Sequence, residues 1–225
     1  MKNTKILNYK TSGEGETIVF LHGYLESMEI WNQTFLSLKE KCKIILIDLP
    51  GHGKSPVFSN IHSMDFMAEK VNEVLEIEKV EKISLFGHSM GGYVALAFAA
   101  LFPEKLNKLV TIHSHPFADG EEKLKDRTRE VELILSGKKQ LIFSVSIPRL
   151  YADINLDAMK EKIDFSKRIA DEMQEDAIAA ALEGMKLRTD KTEIFSDKRF
   201  QKHIIIGRHD NLIPADKLIN FAEEN

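Results

Sequence analysis

A single cysteine, Cys42, stands among 225 residues, so no internal disulfide can form, which fits a reducing compartment. Excess positive charge is missing too. The 31 Lys and Arg against 35 Asp and Glu leave a formal charge of −4, with no basic surface for nucleic acid and no attraction to an anionic membrane. The opening residues MKNTKILNYK lack the apolar stretch of a secretory signal. The longest apolar run, Tyr93 to Phe102, is ten residues, whereas a bilayer-crossing helix needs about 20. Repeats and low-complexity linkers are absent. Together these absences lead us to expect a cytoplasmic protein whose partner is a small molecule, with no nucleic-acid or membrane partner. What remains is ordinary globular composition, 43% hydrophobic and 29% charged, in a chain long enough for one sizeable core. One domain carrying an insertion is therefore expected.

The most informative stretch is Lys82 to Phe102. Lys82 to Phe86 reads as a short apolar strand and Tyr93 to Phe102 as a helix rich in small apolar residues. Gly87-His88-Ser89-Met90-Gly91, followed by Gly92, joins them. A serine on so sharp a strand-to-helix turn is held in a strained backbone with its hydroxyl clear of the sheet. The flanking glycines are needed because a Cβ would collide with the neighbouring elements. The Met90 amide then falls at a helix N-terminus, where donors and dipole favour an oxyanion. The plainer alternative is a glycine-rich turn whose serine caps a helix.

Other segments repeat the pattern of strand then helix. Thr4 to Lys10 reads as an edge strand before a turn at Ser12-Gly13-Glu14-Gly15. Thr17 to Leu21 and Cys42 to Ile47 read as buried strands. The first runs into His22-Gly23-Tyr24 and the second into Asp48 to Ser55. Met28, Trp31, Phe35 and Leu38 recur at helical spacing, and Ser63 is placed to cap a helix that turns Met67, Val71, Val74 and Leu75 inward. Leu109 to Ile112 continues the series. Strands apolar on both faces, alternating with helices, mean an α/β fold with a mostly parallel sheet covered on both sides.

After His115-Pro116 the alternation stops. From Glu121 to Thr192 only helical patterns follow: Glu121 to Leu135 ended by Gly137, a segment broken at Pro148, then Asp157 to Arg168 and Glu172 to Lys186. It resumes with His203 to Ile206, the loop Gly207-Arg208-His209-Asp210, and a helix from Pro214. We expect residues 1–116 and 200–225 to form the core and residues 117–199 a helical cap over a pocket. The alternative for the insertion is a dimerisation surface, so the chain is expected to be a monomer or a homodimer.

In these motifs, His22-Gly23, Asp48 to Ser55, Gly87 to Gly92 and Gly207 to Asp210, the chain resembles the α/β-hydrolase superfamily of cap-bearing serine hydrolases over nearly its whole length. The resemblance implies Ser89 as nucleophile, the Tyr24 and Met90 amides as oxyanion donors, and Asp210 as the acid that orients an imidazole. It implies no metal and no cofactor. The expected activity is hydrolysis of an ester or related activated carbonyl of a small molecule. The alternatives are a non-enzymatic ligand sensor, or a C–C hydrolase or lyase of the same superfamily; for elimination chemistry Arg149 would hold a substrate carboxylate, its plainer reading being an exposed structural arginine.

Several residues have a plainer reading beside the functional one. Asp210 could cap the helix that follows it. His22, His52 and His88 are expected to shape turns, and His22, His113 and His115 to line the pocket. His113-x-His115 also has the look of a metal pair, but no Asp, Glu or Cys cluster accompanies it. Cys42 is expected to serve packing, and His209 to point away from Asp210.

The family order is serine, acid, histidine, yet no histidine follows His209. A last strand, its covering helix and the base therefore look missing, as in a C-terminally truncated chain, and this form is expected to be weakly active or inactive. His113 and His115 are the nearest substitutes by loop position, though nothing in the sequence places either on the acid.

Overall fold

A computed structural model describes residues 5–213 and 215–224. Thr4 and Pro214, the expected first residues of the edge strand and the last helix, lie outside them. The core begins with β1 (Tyr9–Ser12), β2 (Thr17–Leu21), a 3-10 turn at Met28–Trp31, α1 (Asn32–Leu38) and β3 (Lys43–Ile47). α2 (Met64–Ile77), β4 (Ile83–His88), α3 (Met90–Leu101) and β5 (Leu106–Ile112) follow. Next come α4 (Glu121–Leu135), α5 (Lys139–Ser146), α6 (Lys160–Asp171) and α7 (Glu175–Lys186), then β6 (Gln201–Ile205) and α8 (Ala215–Glu224).

The six strands form one sheet in the order β1-β3-β2-β4-β5-β6, with β1 antiparallel to β3 and every other pair parallel. β1 starts later than the sequence suggests and runs through Ser12, because residues 9–12 pair with Ile47 back to Ile44. Burial explains the parallel centre. Ile44, Ile45, Leu46 and Ile47 are all fully buried, as an apolar run covered on both faces must be. β6 departs from that pattern, since its residues alternate between exposed and half-buried.

Helices cover both faces. On one side Phe35 of α1 packs with Phe20, Ile44, Leu46 and Cys42, and Trp31 stacks tilted on Phe20 at 4.9 Å. Cys42 is therefore a packing residue. On the other, α2 and α3 join a larger cluster with Val19, Leu21, Ile45 and Leu85. Ser63 caps α2 as expected, its hydroxyl accepting the Phe66 amide at 3.1 Å.

The four helices between β5 and β6 share this larger cluster through Val131, Ile134, Phe143, Ile163, Ile178 and Leu182. Ile178 to Leu182 is packed in the core. Leu141 and Val145 of α5 do remain open, at 53% and 56% exposure. A buried ion triad fastens the insertion where it leaves the sheet. Asp119 accepts Arg127 Nε of α4 and an Arg188 amino group just after α7, both at 2.5 Å. Gly137, at φ 79°, ends α4, and the break at Pro148 starts a 3-10 turn.

Close approach fixes the β4–α3 junction. A Cβ on Gly87 would lie 2.3 Å from the Gly91 carbonyl oxygen, and one on Gly91 would lie 2.5 Å from the His22 carbonyl oxygen. Backbone cannot yield as a flexible side chain does. Gly87→Ala should therefore lower the thermal midpoint by roughly 2–12 °C, from an overpacking cost of about 1–3 kcal/mol at about 2–4 °C per kcal/mol. Gly120→Ala is the control, because nothing lies within 4 Å of its added Cβ. Equal midpoints for the two variants in a melting scan would contradict the packing account.

Candidate active site

Three neighbouring strand ends bring the candidate residues together. Ser89 follows β4, His113 follows β5, and Asp210 lies in the loop after β6. The ladder continues beyond the strands proper, with the Ser89 amide donating to the Ile112 carbonyl and the His113 amide to the Ile205 carbonyl, each at 2.9 Å. Ser89 sits at φ 50°, ψ −116°, the strained turn anticipated for it, and is half-buried. Met90 is the first residue of α3, so its amide is among those an α-helix leaves without an internal acceptor.

Asp210 divides its carboxylate between two tasks. Oδ1 accepts the Leu212 and Ile213 amides at 2.8 and 2.9 Å, which shapes the approach to α8. Oδ2 bonds His113 Nδ1 at 2.6 Å. The carboxylate thus both shapes the loop and bonds an imidazole. Burial works against its charge, but His113 and the two amides hold its carboxyl below the usual value. Room for the ring comes from Gly207, where a Cβ would stand 2.8 Å from His113 Cε1. His113 itself takes a left-handed φ of 48°, uncommon for a side chain of its size. This pairing was not legible in the sequence.

The remaining histidines separate by role. His22 is wholly buried and cannot line a pocket. Its Nε2 accepts the Leu49 amide at 2.9 Å, so Nδ1 carries the proton toward the Gly23 carbonyl oxygen at 2.8 Å. Burial pushes its pKa down. His52 is equally buried, bonds the Pro50 carbonyl oxygen at 3.0 Å, and has a pKa of about 3. Both are turn-shaping residues. His115 lies 3.3 Å from the Tyr93 hydroxyl and lines a shallow cleft with Tyr93, Leu187, Arg188 and Lys191. Neither Ser89 nor Asp210 lines that cleft, so His115 and His113 face different surroundings. His209 is exposed, as is Arg149.

Glu26 is a residue the sequence reading passed over. Its Oε2 accepts the Gly23 amide at 2.6 Å and His88 Nδ1 at 2.8 Å, and the residue is only 7% exposed. The signal available was its place three residues after Gly23, the spacing at which a side-chain oxygen returns to a backbone amide. The His88 ring stands edge-on to His113 at 6.0 Å, which joins this pair to the one on Asp210. Tyr24, next to Gly23, sends its hydroxyl to Glu130 of α4 at 3.0 Å and so ties the loop to the insertion.

The description "alpha/beta hydrolase fold" matches residues 16–224, and the chain belongs to that family. It is similar to a pimeloyl-[acyl-carrier protein] methyl ester esterase of Aeromonas hydrophila, 35% identical over 105 residues, which covers 46% of this chain and 40% of that enzyme. The chain thus spans less than half the length of the first curated relatives it matches. A 2-hydroxy-6-oxononadienedioate/2-hydroxy-6-oxononatrienedioate hydrolase of Paraburkholderia phymatum is 27% identical over 93% of this chain and 76% of its own. Among solved structures, a thermophilic esterase of Thermogutta terrifontis superposes with a TM-score of 0.92 at 26% identity, covering 96% of this chain and 80% of that one. No helix among the described residues is long and apolar enough to cross a membrane.

The Glu26–His88 pair sets a pH dependence. Burial disfavours charge on His88, but the charge and hydrogen bond of Glu26, with Asp210 beyond, outweigh it and raise its pKa above 6.5. Burial also opposes charge on Glu26, yet His88, the Gly23 amide and His22 hold it below 4.5. The titratable groups facing the pair include His22, His113, Asp210 and Tyr151. A raised histidine stabilises fully below its unfolded value and loses this as pH climbs through the folded one. A depressed carboxyl stabilises above its unfolded value and loses this as pH falls through the folded one. The stability gap between wild type and His88→Gln should therefore be widest from about pH 4.5 to 6.5 and narrow on both sides. Denaturant titrations across pH 4–9 check this, and a flat gap would contradict a charged pair.

Proposed function

We propose that this α/β hydrolase cleaves an ester, or a related activated carbonyl, of a small molecule, with Ser89 as nucleophile. The observation that carries the reading is the Asp210 carboxylate holding an imidazole beside the strained Ser89 turn. In this mechanism the Ser89 oxygen bonds the carbonyl carbon while its proton passes to an imidazole nitrogen. The carbonyl electrons move onto oxygen, which the Tyr24 and Met90 amides receive, a contribution on the order of 10²–10³ in rate per donor. Collapse expels the alcohol, which takes the proton from the imidazolium. Water then repeats the sequence on the acyl-enzyme, releasing the carboxylic acid and restoring Ser89. These steps require neither metal nor organic cofactor.

Residues 117–199 act in this reading as a cap over the site. The open apolar side chains Leu141 and Val145 on α5 favour a substrate with hydrophobic bulk. The Paraburkholderia relative is named for hydrolysis of an oxo-dienedioate, so C–C cleavage of a carbonyl compound is the second chemistry to assay.

Two imidazoles compete as base. Family order implies a histidine downstream of Asp210, in which case the 225 residues turn over esters on the order of a millionfold more slowly than a complete triad. The His113–Asp210 bond favours the other reading, that His113 accepts the proton through Nε2. Nitrophenyl ester hydrolysis by wild type, Ser89→Ala and His113→Gln separates them. Turnover abolished by both substitutions assigns the base to His113. Background rates in wild type and His113→Gln alike rule out His113 as the base. Turnover that survives Ser89→Ala overturns the nucleophile itself.

A further inference from the structure

The loop that carries Tyr24 and the turn that carries Met90 belong to different strands, β2 and β4, yet an oxyanion must meet both amides at once. The distance between them is thus a property something has to hold. At Gly23 the two segments touch. A Cβ there would lie 2.7 Å from Glu26 Oε2, 3.1 Å from His88 Nδ1 and 3.1 Å from the Ser89 Cβ. One carboxylate oxygen spans the contact, accepting the Gly23 amide at 2.6 Å on one side and His88 Nδ1 at 2.8 Å on the other. Gly23 precedes Tyr24, and His88 precedes Ser89 and Met90, so each bond lands within two residues of a candidate donor. Leu25, buried at φ 60°, supplies the reversal that turns Glu26 back onto Gly23. A left-handed leucine and a buried carboxylate are both costly features, and they converge on this bridge.

We propose that Glu26 is a positioning residue for the reaction, whose carboxylate bridges the Gly23 amide and the His88 imidazole and so fixes the spacing of the Tyr24 and Met90 oxyanion donors. This deepens the serine-hydrolase reading and rests on it. Glu26 reaches neither the nucleophile nor the carbonyl; its effect passes through the backbone on either side. Loss of the bridge weakens ligands that place a negative oxygen between the two amides and leaves planar ligands untouched. A merely structural role would weaken both alike or neither.

The test uses phenylboronic acid, which forms a tetrahedral adduct with an active serine, and the planar N-phenylacetamide as a ground-state comparison. Binding is read from the fluorescence of Trp31, the only tryptophan, which stands edge-on to His88 at 6.4 Å. Glu26→Ala is expected to weaken the boronate tenfold or more with the amide within twofold. Should Glu26→Ala fail to fold, Glu26→Asp serves, since its carboxylate is one methylene shorter and a single oxygen no longer spans from the Gly23 amide to His88. That variant is expected to lose threefold or more, again for the boronate alone. Boronate binding unchanged in a folded Glu26 variant, or lost equally with amide binding, overturns the inference. If wild type and Ser89→Ala bind boronate equally, the nucleophile assignment has failed instead.

Discussion

The structure depends on one backbone contact. The β4–α3 turn must pass so close to the end of β2 that Gly91 rests against the Leu21 and His22 carbonyls, with no space for a Cβ. That closeness forces Ser89 into φ 50°, a conformation that costs about 1–3 kcal/mol and survives only where the surroundings determine it. Here they do. The Ser89 amide is held by β5, α3 starts at the next residue, and the central strands beneath, β2, β3 and β4, are mostly buried. Strain that would relax in a loop is retained at the hinge between two rigid elements.

From that hinge the candidate machinery spreads along one row of strand ends. β2 delivers His22 and the Gly23 loop, β4 delivers His88 and Ser89, β5 delivers His113, and β6 delivers the Asp210 loop. Two carboxylate–imidazole pairs lie along the row, Glu26 with His88 and Asp210 with His113. Each carboxylate is depressed by its imidazole partner, so the two pairs hold one another in register in a setting where an unpaired charge would be costly. The insertion is coupled to the same row. Tyr24 reaches Glu130, and Asn211, beside Asp210, donates to the Tyr151 carbonyl at 2.8 Å. Movement of those helices would therefore be felt at both ends of the site.

Much of the fold was legible because local signals agreed. The apolar runs at Ile44 to Ile47 and Val19 to Leu21, the cap at Ser63 and the stop at Gly137 each act within a few residues, and each stands where its chemistry places it. Ser89 was legible for the same reason, since its strain is written in three neighbouring glycines. The pairing of His113 with Asp210 was not, because it spans 97 positions and depends on the ring fitting beside Gly207. Glu26 escaped notice although it lies close to its partner amide, because its second partner, His88, comes from another strand. His22 was expected to face a pocket and is instead consumed by the Leu49 and Gly23 backbone, a demand that pattern alone does not reveal.

The central claim is that position 89 carries a nucleophile poised between two amides. A fluorophosphonate probe, followed by peptide mapping of the labelled protein, measures it directly. The account predicts a single covalent adduct on the peptide containing Ser89, absent from Ser89→Ala. Labelling at another residue, or none at Ser89 in the folded protein, would contradict it.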